Sequence, residues 1–128
     1  MPAAMLRLAI PALAVLLTAS PAVGKVRCQV VDGDTLRCGA QRVRVIGLDA
    51  PEMRGQCPRE VRRARAAKDR LAELVADGVT LRTRGRDRYR RLLAVVRDRQ
   101  GRDVAAVMIR EGLARPYDGR GRRAGWCG

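Results

Sequence analysis

The 128-residue chain has no histidine and no phenylalanine, and its only aromatic side chains are one tryptophan and two tyrosines. A chain without Phe must build its core from Val, Leu, Ile, Ala and Met, and at this length it allows one domain with a modest core. Without His, and with its four cysteines spaced 10, 19 and 70 residues apart so that no C-x-x-C pair exists, the usual structural-zinc patterns are excluded. Acidic residues are also scarce, 13 against 27 Lys and Arg, which leaves a formal charge of +14. All the basic residues except Lys25 and Lys68 are Arg, which holds its charge at any working pH and forks bidentately onto phosphate oxygens. A polyanion is the natural partner of such a surface. No low-complexity linker or second domain interrupts the chain.

The one long uncharged run lies at the amino terminus. Arg7 supplies a positive n-region, Leu8 to Leu17 an apolar h-region broken by Pro11, and Ala22-Val23-Gly24 a small-x-small cleavage pattern. This reads as a cleaved export signal over residues 1–24, with a mature domain over 25–128 that is secreted or periplasmic and has no stable membrane association. The run from Leu8 to Gly24 is at the lower limit for spanning a bilayer and contains two prolines, which disfavours an uncleaved anchor. Losing Arg7 leaves 26 basic and 13 acidic residues, a net charge of +13. In an oxidising compartment an even cysteine count points to two disulfides. Of the three connectivities, Cys28 with Cys38 across the first turn and Cys57 with Cys127 at the tail are preferred.

Patterning places strands first, then a helix, then strands and a helix. Val26 to Val31, Leu36 to Cys38 and Arg42 to Leu48 are β-rich segments separated by Asp-Gly and Gly-Ala turns. Pro58 to Ala76 carries Val61, Ala64, Ala67, Leu71, Leu74 and Val75 at helical spacing, with Gly78 just past its end. Val79 to Thr83 and Leu92 to Val96 are two more strands, and Asp103 can cap a helix from Val104 to Glu111 closed by Gly112. The fold class expected is α+β, mainly β, a five-stranded OB-fold Greek-key barrel with two to three helices.

Three motifs combine carboxylates with arginines: Asp32-Gly33-Asp34-Thr35, then Arg44 with Asp49-Ala50-Pro51-Glu52, then Asp87-Arg88-Tyr89-Arg90-Arg91. Splitting a phosphodiester adds negative charge to an anionic centre, so a catalyst needs a metal ion, carboxylates to hold it, a base for water and cations facing the phosphate. Each motif alone has a plainer reading. Asp-Gly is a hairpin turn, Arg42 and Arg44 alternate with Val43 and Val45 as on a strand with a solvated outer face, and an arginine run is a solvated loop. The hairpin nevertheless links the first two: with Gly39-Ala40 at its turn, Arg44 falls opposite Thr35 and beside Asp34.

The segments V-V-D-G-D-T-L, R-V-I-G-L-D-A-P-E, D-R-Y-R-R-L-L-A and I-R-E-G-L-A together resemble the staphylococcal nuclease-like (thermonuclease) family from Val26 to about Tyr117. The resemblance implies Ca2+-dependent hydrolysis of DNA and RNA phosphodiesters. By matching positions, Asp34 and Asp49 are implied as calcium ligands together with the carbonyl of Ala50. Glu52 matches the general base, and Arg44 and Arg91 match the arginines on the scissile phosphate. Arg88, Tyr89 and Tyr117 are candidate substrate contacts, the tyrosines by stacking on bases. The partner expected is DNA or RNA or both, single-stranded preferred, acted on by a monomer. Two departures stand out: Arg90 replaces a glycine usual before the catalytic arginine, and the tail after Tyr117 is too short for a long terminal helix. The rival reading is a nucleic-acid-binding OB module without catalysis.

Overall fold

A computed structural model describes residues 24–128 and, ahead of them, residue 3 alone. The export signal expected over 1–24 lies outside the described residues except for Ala3 and Gly24. Among the described residues no helix is long and apolar enough to cross a membrane.

The chain forms β1 (Gln29–Asp32), β2 (Thr35–Cys38), β3 (Gln41–Val45), β4 (Gly47–Asp49), α1 (Pro58–Val75), β5 (Thr80–Arg86), β6 (Leu92–Arg97), α2 (Val104–Arg110) and β7 (Arg115–Tyr117). Five strands form one sheet in the order β1-β2-β3-β6-β5, with only β3 and β6 parallel, while β4 and β7 make a separate antiparallel pair. Paired backbone hydrogen bonds between Val26 and Val79, 2.8 and 2.9 Å, join the segments leading into the two edge strands. The sheet thereby closes on itself as an OB-type barrel, which removes the exposed edges.

The β2–β3 hairpin has the register expected of its turn, with Thr35 opposite Arg44 and Leu36 opposite Val43. The expected single strand from Arg42 to Leu48 is instead broken at Ile46. Gly47 adopts φ 97°, a conformation open to glycine, and the chain turns out of the main sheet into β4. β7, which sequence patterning did not reveal, then pairs with β4, placing Arg115 opposite Asp49. Val26 makes only the closing bridge, so β1 starts three residues later than expected. The first helix ends at Val75 and the second at Arg110, each one residue short of expectation. Asp103 caps the second as expected, its carboxylate accepting from the amides of Ala105 and Ala106.

The core consists of the inner faces of β2, β3 and β6 packed with one stripe of α1 and with the buried side of α2. Leu36, Val43, Val45, Leu71, Val79, Ala94, Val96 and Met108 are fully buried, and each large apolar side chain contributes about 1.5–3 kcal/mol. Ala64, Ala67, Leu71, Leu74 and Val75 form the buried stripe of α1. Both disulfides join the expected partners, Cys28 with Cys38 and Cys57 with Cys127.

β6 is bracketed by two turns of one design. Before it, Asp87 Oδ1 accepts from the amides of Tyr89 and Arg91 while Oδ2 pairs with Arg91 Nε at 2.8 Å. After it, Asp98 Oδ1 accepts from the amides of Gln100 and Arg102 while Oδ2 pairs with Arg102 Nε at 2.7 Å. The fourth residue of each turn has positive φ: Gly101 at 80° and, in the first copy, Arg90 at 65°.

Candidate active site

The first motif is held against the second by a close backbone approach. A Cβ on Gly33 would lie 3.0 Å from the Ala50 side chain and 3.1 Å from that of Ala67, so the Asp-Gly turn sits directly on the Asp49-Ala50 segment and on α1. Only glycine fits there without displacing its neighbours. Pro51, the next residue of that segment, is also buried.

Around this junction the charged side chains form a chain of contacts. Asp34 Oδ1 accepts from Thr35 Oγ1 at 2.8 Å, and Asp34 Oδ2 lies 3.5 Å from Arg44 Nη2. The same Nη2 donates to the carbonyl of Leu48 at 3.0 Å, and Nη1 donates to the carbonyl of Val45. One guanidinium thus ties the Asp34 carboxylate to the backbone just ahead of Asp49. Read alone, the sequence pattern makes Arg44 a solvated outer-face residue; here its side chain is only 11% exposed, while Arg42 is exposed. Arg91 arrives from the other side, its Nη1 donating to Thr35 Oγ1 at 3.3 Å. Its Nη2 has no protein partner among the described residues.

Asp87 fixes Arg91, and sequence reasoning did not assign it a role. Burial pushes its carboxyl upward, but hydrogen bonds from the Arg91 side chain and amide, the Arg91 charge and the Tyr89 amide outweigh burial and hold it below the usual carboxylate range. The signal available was an Asp–Arg pair four residues apart across a turn. Arg88 and Tyr89 stand beside Arg91: Tyr89 is 65% exposed, with the Arg88 and Arg91 guanidinium carbons 4.9 and 5.6 Å from its ring centre. Tyr117 lies on β7 opposite Gly47, and its hydroxyl donates to the carbonyl of Gly121 at 2.9 Å. No contact joins it to the other candidate residues.

Asp49 is buried and Glu52 about half exposed, and a residue outside the expected set joins them. Arg123 Nη1 donates to Asp49 Oδ1 at 3.1 Å and to Glu52 Oε1 at 3.0 Å. Partial burial lowers the Arg123 affinity for its proton, but the bonds to Glu52 and the Asp49 charge more than offset this and raise it. Glu60, buried on α1, accepts from the amides of Glu52 and Gln56 at 3.3 and 2.9 Å and so fixes the loop that carries Glu52.

The donor set offered by Asp34, Asp49 and the Ala50 carbonyl is all oxygen, which suits a hard cation such as Ca2+ that tolerates irregular coordination. Asp34, Asp49 and Glu52 do not converge as a tight three-carboxylate cluster. Among the described residues, the one group of three ligand atoms within 4.8 Å of one another is Cys57, Glu60 and Cys127. Its two sulfurs are joined in a disulfide and have no thiolate to offer a metal.

Residues 42–124 match the family described as staphylococcal nuclease homologue. That span includes Arg44, Asp49, Ala50, Glu52 and Arg91, with Asp34 lying ahead of it. The chain is 38% identical over 136 aligned positions to "Protein ParB" of Escherichia coli, covering 94% of this chain and 73% of that protein. It is 35% identical over 99 positions to an "Uncharacterized endonuclease" of Haemophilus influenzae, covering 70% of this chain and 52% of that protein. A protein of the same description from Escherichia coli O157:H7 is 35% identical over 95 positions, with 70% and 58% coverage. The chain therefore spans little more than half the length of these two endonucleases.

Proposed function

We propose, since this chain belongs to the family of staphylococcal nuclease homologues, that it is a Ca2+-dependent nuclease. It hydrolyses phosphodiester bonds of DNA, RNA or both, with little sequence specificity, and works as a monomer outside the cytoplasm. The observation that carries this reading is the convergence of Arg44, from β3, and Arg91, from the turn just ahead of β6, on the Asp34-Thr35 pair.

Asp34, Asp49 and the Ala50 carbonyl would hold the calcium, which when bound supplies Lewis-acid stabilisation of a phosphoryl oxygen. Glu52 takes a proton from a water molecule as the water oxygen bonds to phosphorus. One P–O ester bond breaks, and the leaving oxygen acquires a proton from solvent. Arg44 and Arg91 donate to the non-bridging oxygens, where charge accumulates; a positioned donor of this kind contributes on the order of 100- to 1000-fold in rate. The free Nη2 of Arg91 suits it to the leaving side. Contacts confined to phosphate and sugar carry no base identity, which accounts for the lack of sequence preference. Exposed Tyr89 favours single strands, whose unpaired bases can stack on it. Two disulfides in so small a domain suit an oxidising compartment, in keeping with export.

The test is incubation of the purified protein with single-stranded DNA, duplex DNA and RNA, with calcium and then with a calcium chelator. Cleavage that the chelator abolishes is expected. Binding without cleavage in calcium, magnesium or manganese would replace this reading with a binding module.

A further inference from the structure

The last eleven residues are anchored from several sides. Cys127 is bonded to Cys57, just ahead of α1. Trp126 is buried, with the Arg115 guanidinium 3.7 Å from its ring centre and that of Arg63, on α1, at 5.6 Å. Arg115 also donates to the carbonyl of Gly125 at 2.8 Å, and Arg59 to that of Trp126 at 3.4 Å. The side chain that this tail delivers to the candidate site is Arg123, which enters a cleft of about 480 Å3 lined by Asp49, Ala50 and Glu52. There a single nitrogen bridges the two carboxylates.

The two ends of this bridge differ in how much they need it. Asp49 is 4% exposed, and a buried carboxylate requires a counter-charge. The Arg123 and Glu52 side chains are 44% and 48% exposed, so water can take over their solvation once they separate.

We infer that Arg123 is a tethered internal cation that competes with the divalent cation for Asp49. The inference rests on the reading of Asp49 as a metal ligand given above. While Arg123 bridges Asp49 and Glu52, it satisfies the buried carboxylate and engages the base. A divalent ion at Asp49 meets a fixed positive charge until the guanidinium swings away. The Cys57–Cys127 bond keeps Arg123 at high local concentration beside the site, so the competition is intramolecular and does not dilute. The tail thus sets the metal concentration at which the site fills.

The experiment is calcium titration by calorimetry without nucleic acid, on the full chain and on Arg123→Gln, Arg123→Lys and the double variant Cys57→Ser/Cys127→Ser, with folding checked by circular dichroism and melting temperature. Arg123→Gln removes the charge and should tighten calcium binding roughly tenfold, the scale of a close, partly screened charge. Arg123→Lys retains a cation and should stay near the parent value. The double variant frees the tail and should shift in the same direction as Arg123→Gln. A merely structural arginine would lower the melting temperature and leave calcium affinity equal or weaker. Equal affinity in the parent and Arg123→Gln overturns the competition while leaving the calcium reading in place. No calcium binding by any of the proteins overturns both.

Discussion

Replacing Asp87 with Asn tests whether the arginine loop acts as a positioning device. The substitution preserves size and an oxygen that can still accept from the amides of Tyr89 and Arg91, but it removes the charge that faces Arg91 Nε at 2.8 Å. The side chains are 25% and 18% exposed, so the lost charge-assisted bond lies between a buried one and a screened surface pair and is worth about 1–2 kcal/mol. The Arg91 guanidinium then keeps the 3.3 Å hydrogen bond to Thr35 Oγ1 and its place over the Tyr89 ring. A misplaced donor costs about 100-fold where a removed one costs up to 1000-fold, so kcat/KM on single-stranded DNA with calcium should fall by about 10- to 100-fold. The molecule supplies its own control. Asp98 makes the same three bonds in the second turn and is more deeply buried, so Asp98→Asn should destabilise by about 2–3 kcal/mol. It touches none of the candidate catalytic residues, so kcat/KM measured well below its melting temperature should stay within about threefold of the parent. If Asp87→Asn loses stability but keeps its rate, or if Asp98→Asn loses as much rate, Asp87 does not position Arg91 for catalysis.

Glu52→Gln keeps size and removes the base, so turnover should fall by about 100-fold or more while binding of single-stranded DNA survives; unchanged turnover would remove Glu52 from the mechanism. Arg90 adopts φ 65°, which costs a side chain about 1–2 kcal/mol. After allowing for the greater freedom of glycine in the unfolded chain, Arg90→Gly should stabilise by about 0.5–1 kcal/mol, read as a melting point higher by about 2–8 °C. A lower melting point would show that the arginine is not strained. Binding of single-stranded DNA should weaken with salt, with log K falling against log salt by about 0.7 per phosphate contacted; an affinity indifferent to salt would argue against a polyanion partner.

The parts of the structure legible in sequence were those fixed locally. The hairpin register followed from a two-residue turn, α1 from apolar spacing bounded by Pro58 and Gly78, and α2 from its Asp103 cap. The cysteine pairing was a preference among three connectivities, drawn from the turn between Cys28 and Cys38 and from a tail that Cys57 could tie to the body, and both bonds are present. β7 was not legible because three residues, Arg-Pro-Tyr, carry no periodicity, and their pairing partner exists only because Gly47 breaks the preceding strand. Arg44 looked solvated because alternation reports which way a side chain leaves the sheet and not what then covers it. Arg123 was one of many tail arginines, but a signal was present: pairing Cys127 with Cys57 brings residue 123 close to Glu52, five residues ahead of Cys57.

The twin turns around β6 also govern behaviour in acid. Burial pushes the Asp98 carboxyl upward, but the amides of Arg102 and Gln100 and the Arg102 side chain reverse this and hold it low, just as Arg91 and Tyr89 do for Asp87. A carboxylate depressed in the folded state adds stability above its unfolded pKa, about 3.9, and that contribution drains away as pH falls through the lower folded value. Both clasps therefore open in one window, below about pH 4, and they release opposite ends of one strand. β6 is the seam between β3 and β5, so its loosening leaves β5 hanging on the Val26–Val79 bridge and sets Arg91 adrift in the same event. Souring the solution should thus extinguish any nuclease activity and melt the barrel over the same pH interval, followed by circular dichroism and a quenched assay in parallel. In the Asp87→Asn/Asp98→Asn double variant, stability should be flatter across that interval, because nothing remains at either end of β6 for the acid to undo.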